Sequence, residues 1–356
     1  PDISSAASDV YKRQVEGLPS TSFSSDEGTN WIANTGSLSL GQVTTGIAAL
    51  EAPNTMLAEL GGTVFRSQDA GCTWKAYGTT PVSALRIVPG AGTEAYAFGF
   101  FAGPEVFHLD AKASPRRRAE QRSGIPTDVV QLAVDPADGD HLRALGRDGR
   151  IYESLDGAVS KWGVIGSPAP VGFLTYFADF DRADLDHVVV GTVNDGVFVT
   201  FDGGASWTKA DGLSYCDEPD CTPNVNAFSG VISPADGNVV YVMALDLNES
   251  DAGAPSRGRH IYRSDDGGLT FRTVADDGNG IVLPNGPTLA AHPTDADVLY
   301  FSYGSRAQFP FGVNLYRYDD VTGQTTWNVS PDFFSIRAFT FNPADPSVIY
   351  AGFEGK

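Results

Sequence analysis

Long apolar runs and helical periodicity are both missing from this sequence of 356 residues. No run of apolar residues is long enough to cross a bilayer as a helix. No segment repeats apolar residues at the 3.6-residue spacing of an amphipathic helix. The chain is therefore expected to be neither a membrane-spanning protein nor a mainly helical one.

Positive charge is also scarce, since 24 Lys and Arg face 44 Asp and Glu, for a net charge of −20. Nucleic acids and anionic membranes both need a basic surface, so both are disfavoured as partners. Glycine and proline are abundant instead, with 40 and 22 residues. Together with 42% hydrophobic residues, they indicate a globular chain with many turns.

Cysteine is rare, with three residues in the chain. Cys216 and Cys221 flank a short acidic loop, and this spacing allows either a small disulfide ring or two reduced thiols. We predict the disulfide, which would imply an oxidising compartment. Two thiols with no histidine nearby do not suit zinc. Cys72 lies inside a turn motif and is predicted to be a small structural residue.

One eight-residue pattern recurs: Ser or Thr, any residue, Asp, any residue, Gly, any residue, Thr or Ser, and an aromatic residue. Besides three complete copies, a fourth copy, Ser24-Ser-Asp-Glu-Gly-Thr-Asn-Trp31, keeps the Ser, Asp, Gly and Trp. Two more, at 154–162 and 319–327, are degraded by insertions. The complete copies are Ser67-Gln-Asp-Ala-Gly-Cys-Thr-Trp74, Thr200-Phe-Asp-Gly-Gly-Ala-Ser-Trp207 and Ser264-Asp-Asp-Gly-Gly-Leu-Thr-Phe271.

Each position of the pattern has a physical role. The Asp carboxylate accepts backbone N–H groups and closes a tight turn. The Gly adopts a backbone conformation that a Cβ would penalise, and the aromatic ring buries a large surface. A β-branched run precedes most copies, so the pattern predicts a hairpin turn between two strands. The structural aspartates are then Asp26, Asp69, Asp156, Asp202 and Asp266.

This pattern resembles the Asp box, or BNR repeat, of β-propellers. The resemblance covers four copies with one spacing, and it implies a propeller of the kind found in sialidases, sortilin-type receptors, xyloglucan hydrolases and photosystem-assembly factors. Because enzymes and non-enzymes share the box, the resemblance indicates a fold more strongly than a function.

A second repeat, out of phase with the first, consists of a β-rich run, a Pro/Asp turn and another β-rich run. Leu132-Ala-Val-Asp-Pro-Ala-Asp138 is one of its copies. Successive copies start roughly 38 to 58 residues apart, near the length of one four-stranded blade. The Pro/Asp turn would join strands A and B of a blade, and the Asp box would join strands C and D. The sequence therefore predicts an all-β, seven-bladed propeller of four-stranded blades, closed by pairing the N- and C-terminal strands in one blade.

The blades are expected within one domain at 15–356. Residues 1–14 resemble a translated sequencing-adapter tail, so we expect a non-native, disordered segment there. The lack of a signal peptide then says nothing about localisation. The approximate blade bounds are 46–80, 83–125, 129–167, 173–212, 228–276, 287–330, and 335–356 together with 18–34.

Three long loops are predicted on the face opposite the short turns, and function often sits on loops carried by a rigid scaffold. They are the D–A connection entering blade 5 (210–226) and the B–C loops of blade 5 (245–260) and blade 6 (304–313). At least one ring of Phe309 and Phe311 is expected to be solvent-accessible, because the two flank a proline in a turn. The alternative is that these loops are decoration without a ligand. The candidate binding residues are Asp217, Glu218, Arg257, Arg259, His260, Arg306, Gln308, Phe309 and Phe311.

Catalytic and metal-binding patterns are weak. Leu85-Arg-Ile-Val-Pro89 is similar to the Arg-Ile-Pro motif of sialidases but has an extra residue, so we interpret it as structural. No carboxylate pair of the kind that glycoside hydrolysis needs stands out, and no catalytic residue is assigned. His141, His187 and His292 occupy repeat positions, which leaves His260 in an elaborated loop. Acidic groups at 135–140, 181–186 and 217–220 make calcium the one plausible ion, although turn formation explains them by default, so no metal or cofactor is assigned.

The favoured hypothesis is an exported bacterial propeller, either secreted or at the periplasm or cell surface. It would be a monomer that binds a protein or a polysaccharide without catalysis, through the loops over blades 4 to 6. The alternative is a sialidase-like or xyloglucanase-like glycoside hydrolase with its site at the mouth of the central channel. Converging carboxylates or an arginine cluster at that mouth would favour the enzyme.

Overall fold

The computed structural model describes residues 21–30, 32–33, 44–83, 85–99, 103–112, 119–170, 174–214, 216, 222–283, 288–302, 313–330 and 333–355. The tail at 1–14 lies outside these residues. So do Cys221 and six of the candidate binding residues: Asp217, Glu218, Arg306, Gln308, Phe309 and Phe311.

Within the described residues the chain forms 28 β-strands. In chain order they are β1 (Thr21–Ser24), β2 (Ile32–Ala33), β3 (Thr44–Ala49), β4 (Met56–Leu60), β5 (Thr63–Ser67), β6 (Lys75–Thr79), β7 (Leu85–Pro89), β8 (Glu94–Gly99), β9 (Val106–Asp110), β10 (Ala119–Arg122), β11 (Val129–Asp135), β12 (Asp138–Gly146), β13 (Ile151–Ser154), β14 (Gly163–Ile165), β15 (Thr175–Phe180), β16 (Val188–Thr192), β17 (Val197–Thr200), β18 (Thr208–Lys209), β19 (Val225–Ser233), β20 (Asp236–Asp246), β21 (Arg259–Ser264), β22 (Arg272–Asp276), β23 (Thr288–Ala291), β24 (Val298–Ser302), β25 (Val313–Asp319), β26 (Gln324–Ser330), β27 (Phe333–Asn342) and β28 (Asp345–Gly355).

These strands form seven four-stranded antiparallel sheets, which are the blades of a propeller. Blades 1 to 6 are the successive groups from β3–β6 to β23–β26, and blade 7 combines β27 and β28 with β1 and β2. The N-terminal strand closes the ring, because β1 pairs with β28 from Thr21 opposite Gly352 to Ser24 opposite Ile349. Each innermost strand also contacts the innermost strand of the next blade, all the way round. The predicted fold class and closure are confirmed.

The hydrophobic core is divided among the gaps between blades. In the described part of the chain the buried apolar side chains form seven clusters, and each cluster draws on two neighbouring blades. Between blades 5 and 6, for example, Tyr241 and Ile261 pack with Leu299 and Phe301. A blade cannot bury both of its faces alone, so closing the ring completes the core.

Five Asp boxes share one hydrogen-bond scheme, and the box of blade 4 shows it. The Thr200 hydroxyl donates to Asp202 Oδ1 at 2.7 Å and accepts the Gly204 N–H at 2.9 Å. Asp202 in turn accepts the Ser206 N–H at 2.8 Å and the Ser206 hydroxyl at 2.6 Å. Gly204 has a φ of 85°, which a side chain would disfavour. The copy at 154–162 keeps the scheme, with Ala158 at the glycine position and a φ of 61°.

Hydrogen bonds to the Asp202 carboxylate, first from the Ser206 side chain and then from the Ser206 N–H, lower its pKa to about 2. The pKa values of Asp26, Asp69 and Asp266 are lowered by the same kind of bonds, although partial burial acts in the opposite direction. These aspartates are therefore turn-closing anions rather than candidates for catalysis.

The sixth copy, at 319–327, does not form an Asp box. Asp319 lies opposite Val298, as Ser264 of the blade 5 box lies opposite Val240. Asp319 thus occupies the position of the box serine, and Val321, which is 81% exposed, occupies the position of the box aspartate. Asp319 instead accepts the Thr322 N–H at 3.0 Å in a tighter turn. Trp327 remains 41% exposed, whereas Trp74 and Phe271 of complete boxes are buried as expected and Trp207 of the third is half-buried.

Candidate functional site

The B–C loop of blade 5 contains an α-helix, the one helix among the described residues, which the sequence pattern does not predict. This helix, α1 (Leu247–Asp251), has Asp246 as its N-cap. The buried Asp246 carboxylate accepts the N–H groups of Asn248 at 2.9 Å and Glu249 at 3.4 Å. The cap was visible in the sequence, but five residues carry no apolar periodicity to reveal the helix. No helix in the described part of the chain has the length and apolarity to cross a bilayer.

Helix α1 packs against the D–A connection that enters blade 5. The Leu247 N–H donates to the Asn224 carbonyl at 2.9 Å, and the Asn248 side-chain amide donates to the Thr222 carbonyl at 2.9 Å. The same amide lies 3.5 Å from Cys216 Sγ. Two of the three loops predicted on this face are therefore joined by hydrogen bonds. Cys216 is disulfide-bonded, and its predicted partner Cys221 lies outside the described residues.

His260 fastens the other end of the loop to the blade. Its Nε2 lies 2.6 Å from Glu249 Oε2, and its Nδ1 lies 2.7 Å from Asp276 Oδ1. The Ser256 hydroxyl donates to the second Glu249 oxygen. His260 is 7% exposed, so its ring holds α1 to strands β21 and β22 and is not presented to a ligand. The sequence singled out His260 but not Asp276, which only the pairing of β21 with β22 brings opposite it.

A cleft of about 320 Å³ opens beside this loop, and we call it the Arg cleft. One wall is the loop itself, with Pro255, Arg257 and Arg259, and the other is the segment that follows β22. The two walls are tied by the Asp277 N–H, which donates to the Arg259 carbonyl at 3.0 Å. The second wall comprises Asp277, Gly278, Gly280, Ile281, Val282 and Leu283. Two of the predicted binding residues, Arg257 and Arg259, thus line one cleft.

Arg86 and Asp179 lie on the inner strands of blades 2 and 4, near enough for the Asp179 carboxylate to act on the Arg86 charge. The Asp179 carboxylate accepts the Ile232 N–H at 2.9 Å and the Gln131 amide at 3.1 Å. Burial raises the pKa of Asp179, and burial lowers the pKa of Arg86 to about 10 against the attraction of Asp179. Arg86 itself is exposed to solvent, which weakens the effect of the surrounding protein on its charge. The sequence Leu85-Arg-Ile-Val-Pro89 is strand β7 itself.

The acidic groups proposed as calcium candidates form turns. Asp135 accepts the Ala137 N–H at 2.8 Å, and Asp181 accepts the Ala183 N–H at 2.8 Å. Among the described residues, no group of three or more His, Cys, Asp or Glu side chains has an arrangement that could hold a metal ion. The third group, at 217–220, lies outside those residues.

Comparison with known proteins gives one clear relative. The chain is 39% identical over 344 residues to the dispase autolysis-inducing protein of Streptomyces mobaraensis. The aligned region covers 96% of this chain and 88% of that protein. No family model matches the chain.

Several solved structures share the fold. YCF48 from Cyanidioschyzon merolae has a TM-score of 0.59 at 14% identity, covering 89% of this chain and 97% of that one. YCF48 bound to a D1 peptide has a TM-score of 0.55 at 12% identity, covering 94% and 99%. The GH74 enzyme of Niastella koreensis has a TM-score of 0.59 at 15% identity, covering 89% of this chain and 52% of the enzyme. At such identities the likeness shows the fold alone.

Proposed function

The chain belongs to the family of the dispase autolysis-inducing protein, and on that basis we propose that it is a non-catalytic propeller that binds an exported protein. The relative's name says that it induces autolysis of dispase. Autolysis is self-digestion, so the partner we propose for this chain is a protease. The family relationship is the observation that carries the proposal.

The loop face of blade 5 is the surface we propose for binding. Helix α1 is capped by Asp246, bonded to the D–A connection and held to the blade by His260. A loop fixed in this way loses little conformational entropy when a partner docks, which favours affinity. The disulfide at Cys216 supports an exported location, because such bonds persist in oxidising compartments.

The innermost strands of the blades offer few carboxylates that could support the alternative function, glycoside hydrolysis. Within the described residues these strands contain two carboxylate side chains, Asp135 and Asp179. Asp135 closes an A–B turn and also contacts His141 at 3.0 Å. Asp179 is bonded by Gln131 and Ile232. Hydrolysis of a glycosidic bond needs two carboxylates that face one substrate, so this pair does not favour the enzyme.

Binding to dispase tests the proposal. We expect the purified chain to bind an inactivated dispase and to speed the loss of intact, active dispase on a gel. Ala252 is the exposed C-cap of α1, so Ala252→Arg should weaken binding by about tenfold through a steric clash. Ala205 is an exposed residue of the Asp box on the opposite face, and Ala205→Arg should leave binding unchanged.

Two outcomes would contradict the proposal. One is the absence of any binding to dispase together with turnover of a sialoside or polysaccharide from a substrate panel. The other is equal weakening by Ala252→Arg and Ala205→Arg, which would remove the blade 5 loop from the interface.

A further inference from the structure

Arg257 adopts a backbone conformation that its side chain disfavours. Its φ is 54°, in the left-handed region, and Gly258 follows with a φ of 69°. A glycine at position 257 would adopt this conformation at no steric cost. Strained positions that keep a side chain are concentrated at functional sites, where the side chain is needed.

The Arg257 guanidinium is exposed and forms no ion pair or hydrogen bond with any residue that the structure describes. Other arginines of this acidic chain are paired: Arg143 with Glu153 and Asp186, Arg150 with Asp148, and Arg272 with Asp320. Arg257 has no such carboxylate partner among the described residues, although the chain has a net charge of −20. It leaves five N–H donors to a ligand.

The opposite wall of the Arg cleft adds an unusual turn. Gly278, Asn279 and Gly280 all have positive φ, at 117°, 53° and 93°. The N–H groups of Asn279 and Gly280 have no acceptor among the described residues, and Gly280 lines the cleft. Successive N–H groups in left-handed turns form concavities that attract anions. The one carboxylate of this wall, Asp277, is engaged by the Leu283 N–H at 3.0 Å.

Apolar surface lies beside these donors. Val282 is 43% exposed, and Ile281, Pro255 and the buried Leu283 complete the apolar part of the lining. An arginine next to exposed apolar walls suits a ligand that carries a negative charge close to an apolar group.

From this arrangement, and resting on the function proposed above, we infer that the Arg cleft binds a peptide carboxylate adjacent to an apolar side chain of the partner. The carboxylate would pair with the planar fork of Arg257, while the apolar side chain would pack on Val282 and Ile281. The carboxylate can come from an Asp or Glu side chain or from a chain terminus, and the experiment separates the two.

Fluorescence anisotropy with short labelled peptides and the full chain tests this inference. The probes are acetylated, amidated Gly-Leu-Glu-Leu-Gly, the same peptide with Gln in place of Glu, and the Gln peptide with a free C-terminal carboxylate. We expect the Glu peptide, the free-carboxylate peptide or both to bind about fivefold to tenfold more tightly than the amidated Gln peptide. The peptide that shows this preference identifies the source of the carboxylate.

Two variants make the assignment specific. Arg257→Gly should abolish the preference for a carboxylate while leaving the melting temperature unchanged or raised, because glycine relieves the backbone strain. Val282→Ser should weaken charged and uncharged peptides alike. Arg150→Ala is the matched control, since Arg150 lies in a B–C turn on the same face, and it should change nothing.

Equal affinity of all three peptides for the unmodified chain would overturn the inference, and so would a preference that survives Arg257→Gly. These outcomes are independent of the dispase assay. Dispase binding without any carboxylate preference would reject the cleft and keep the proposed function, whereas the converse result would reject the proposed partner and keep the cleft.

Discussion

Arg263 Nη1 lies 3.3 Å from Asp320 Oδ2, and this ion pair joins blades 5 and 6 at the corner where blade 6 has no Asp box. Arg263 belongs to β21 and also contacts Asp265 and Asp297 at 2.7 and 2.8 Å. Asp320 is held further by Arg272 at 2.7 Å. Burial opposes the charge on Arg263, but its bonds to these carboxylates raise its pKa above the ordinary value. An ion network therefore links blade 6 to blade 5 at this corner.

The first prediction is that Arg263→Met destabilises the fold. The Arg263 side chain is 6% exposed, and its removal leaves three carboxylates close together. Because Asp265 and Asp297 are partly open to solvent, we expect a loss of about 2 kcal/mol in unfolding free energy, below the usual cost of breaking a fully buried pair. Arg150→Met, which breaks the more exposed pair with Asp148, should cost less than about 1 kcal/mol in the same urea titration. Equal losses of unfolding free energy in the two variants would show that the network stabilises the fold no more than an exposed ion pair does.

The seven-bladed fold could be predicted because both of its turns are repeated with fixed residue types. Blades 2 and 6 are the exceptions: no copy of the Asp box lies between β9 and β10, and in blade 6 the sequence suggested an Asp box with insertions. Only the pairing of β25 with β24 shows that Asp319 takes the serine position and that Val321 stands where the carboxylate should be. A shift of register by one or two residues is invisible in a pattern that contains two adjacent aspartates.

The second prediction concerns acid stability. Hydrogen bonds in the box, chiefly from Ser206, lower the pKa of Asp202 to about 2, so Asp202 stabilises the fold above its ordinary pKa and ceases to do so as the pH falls towards 2. Asp202→Asn should therefore lower the urea midpoint by roughly 0.3 M at pH 7, and most of the difference should be lost by pH 2. Asp251→Asn, in an exposed position of α1, is the control and should show no difference at either pH. A deficit that persists unchanged at pH 2 would mean that the loss is steric rather than electrostatic.

The third prediction is that Glu249 keeps the blade 5 loop closed. Glu249→Ala removes the acceptor of both His260 and Ser256, so local opening of residues 247–258 should become easier by about 1 to 2 kcal/mol. Amide hydrogen exchange in this segment should accelerate by roughly tenfold, while exchange in β20 and β21 stays slow. Asp251→Ala in the same helix should not change the rates. If amide exchange in residues 247–258 is the same in Glu249→Ala as in the unmodified chain, the hydrogen bonds to the D–A connection alone would be what holds the loop closed.

The candidate site was only partly accessible from the sequence. Loop length and composition pointed to residues 245–260, and the structure places Arg257 and Arg259 in one cleft there. The opposite wall follows β22 and contains Ile281, Val282 and two glycines, residue types that carry no functional signal by themselves. Asp276 was missed for the same reason, since its role depends on which strand pairs with β21.

The last prediction concerns the thiols. Cys216 is disulfide-bonded and Cys72 is free, so denatured protein that has not been reduced should show one reactive thiol per chain. Partial burial and the nearby Asp69 carboxylate raise the pKa of Cys72, so this thiol should react more slowly in the folded chain than after denaturation. Cys72→Ser should reduce the count to zero, and three thiols in the unmodified chain would contradict the pairing of Cys216.

Because the Asn248 amide bonds both Cys216 and Thr222, reduction of the disulfide should also weaken the contacts that support α1. We therefore expect mild reduction to weaken dispase binding while leaving the melting temperature of the propeller nearly unchanged, since none of residues 247–258 belongs to an interblade cluster.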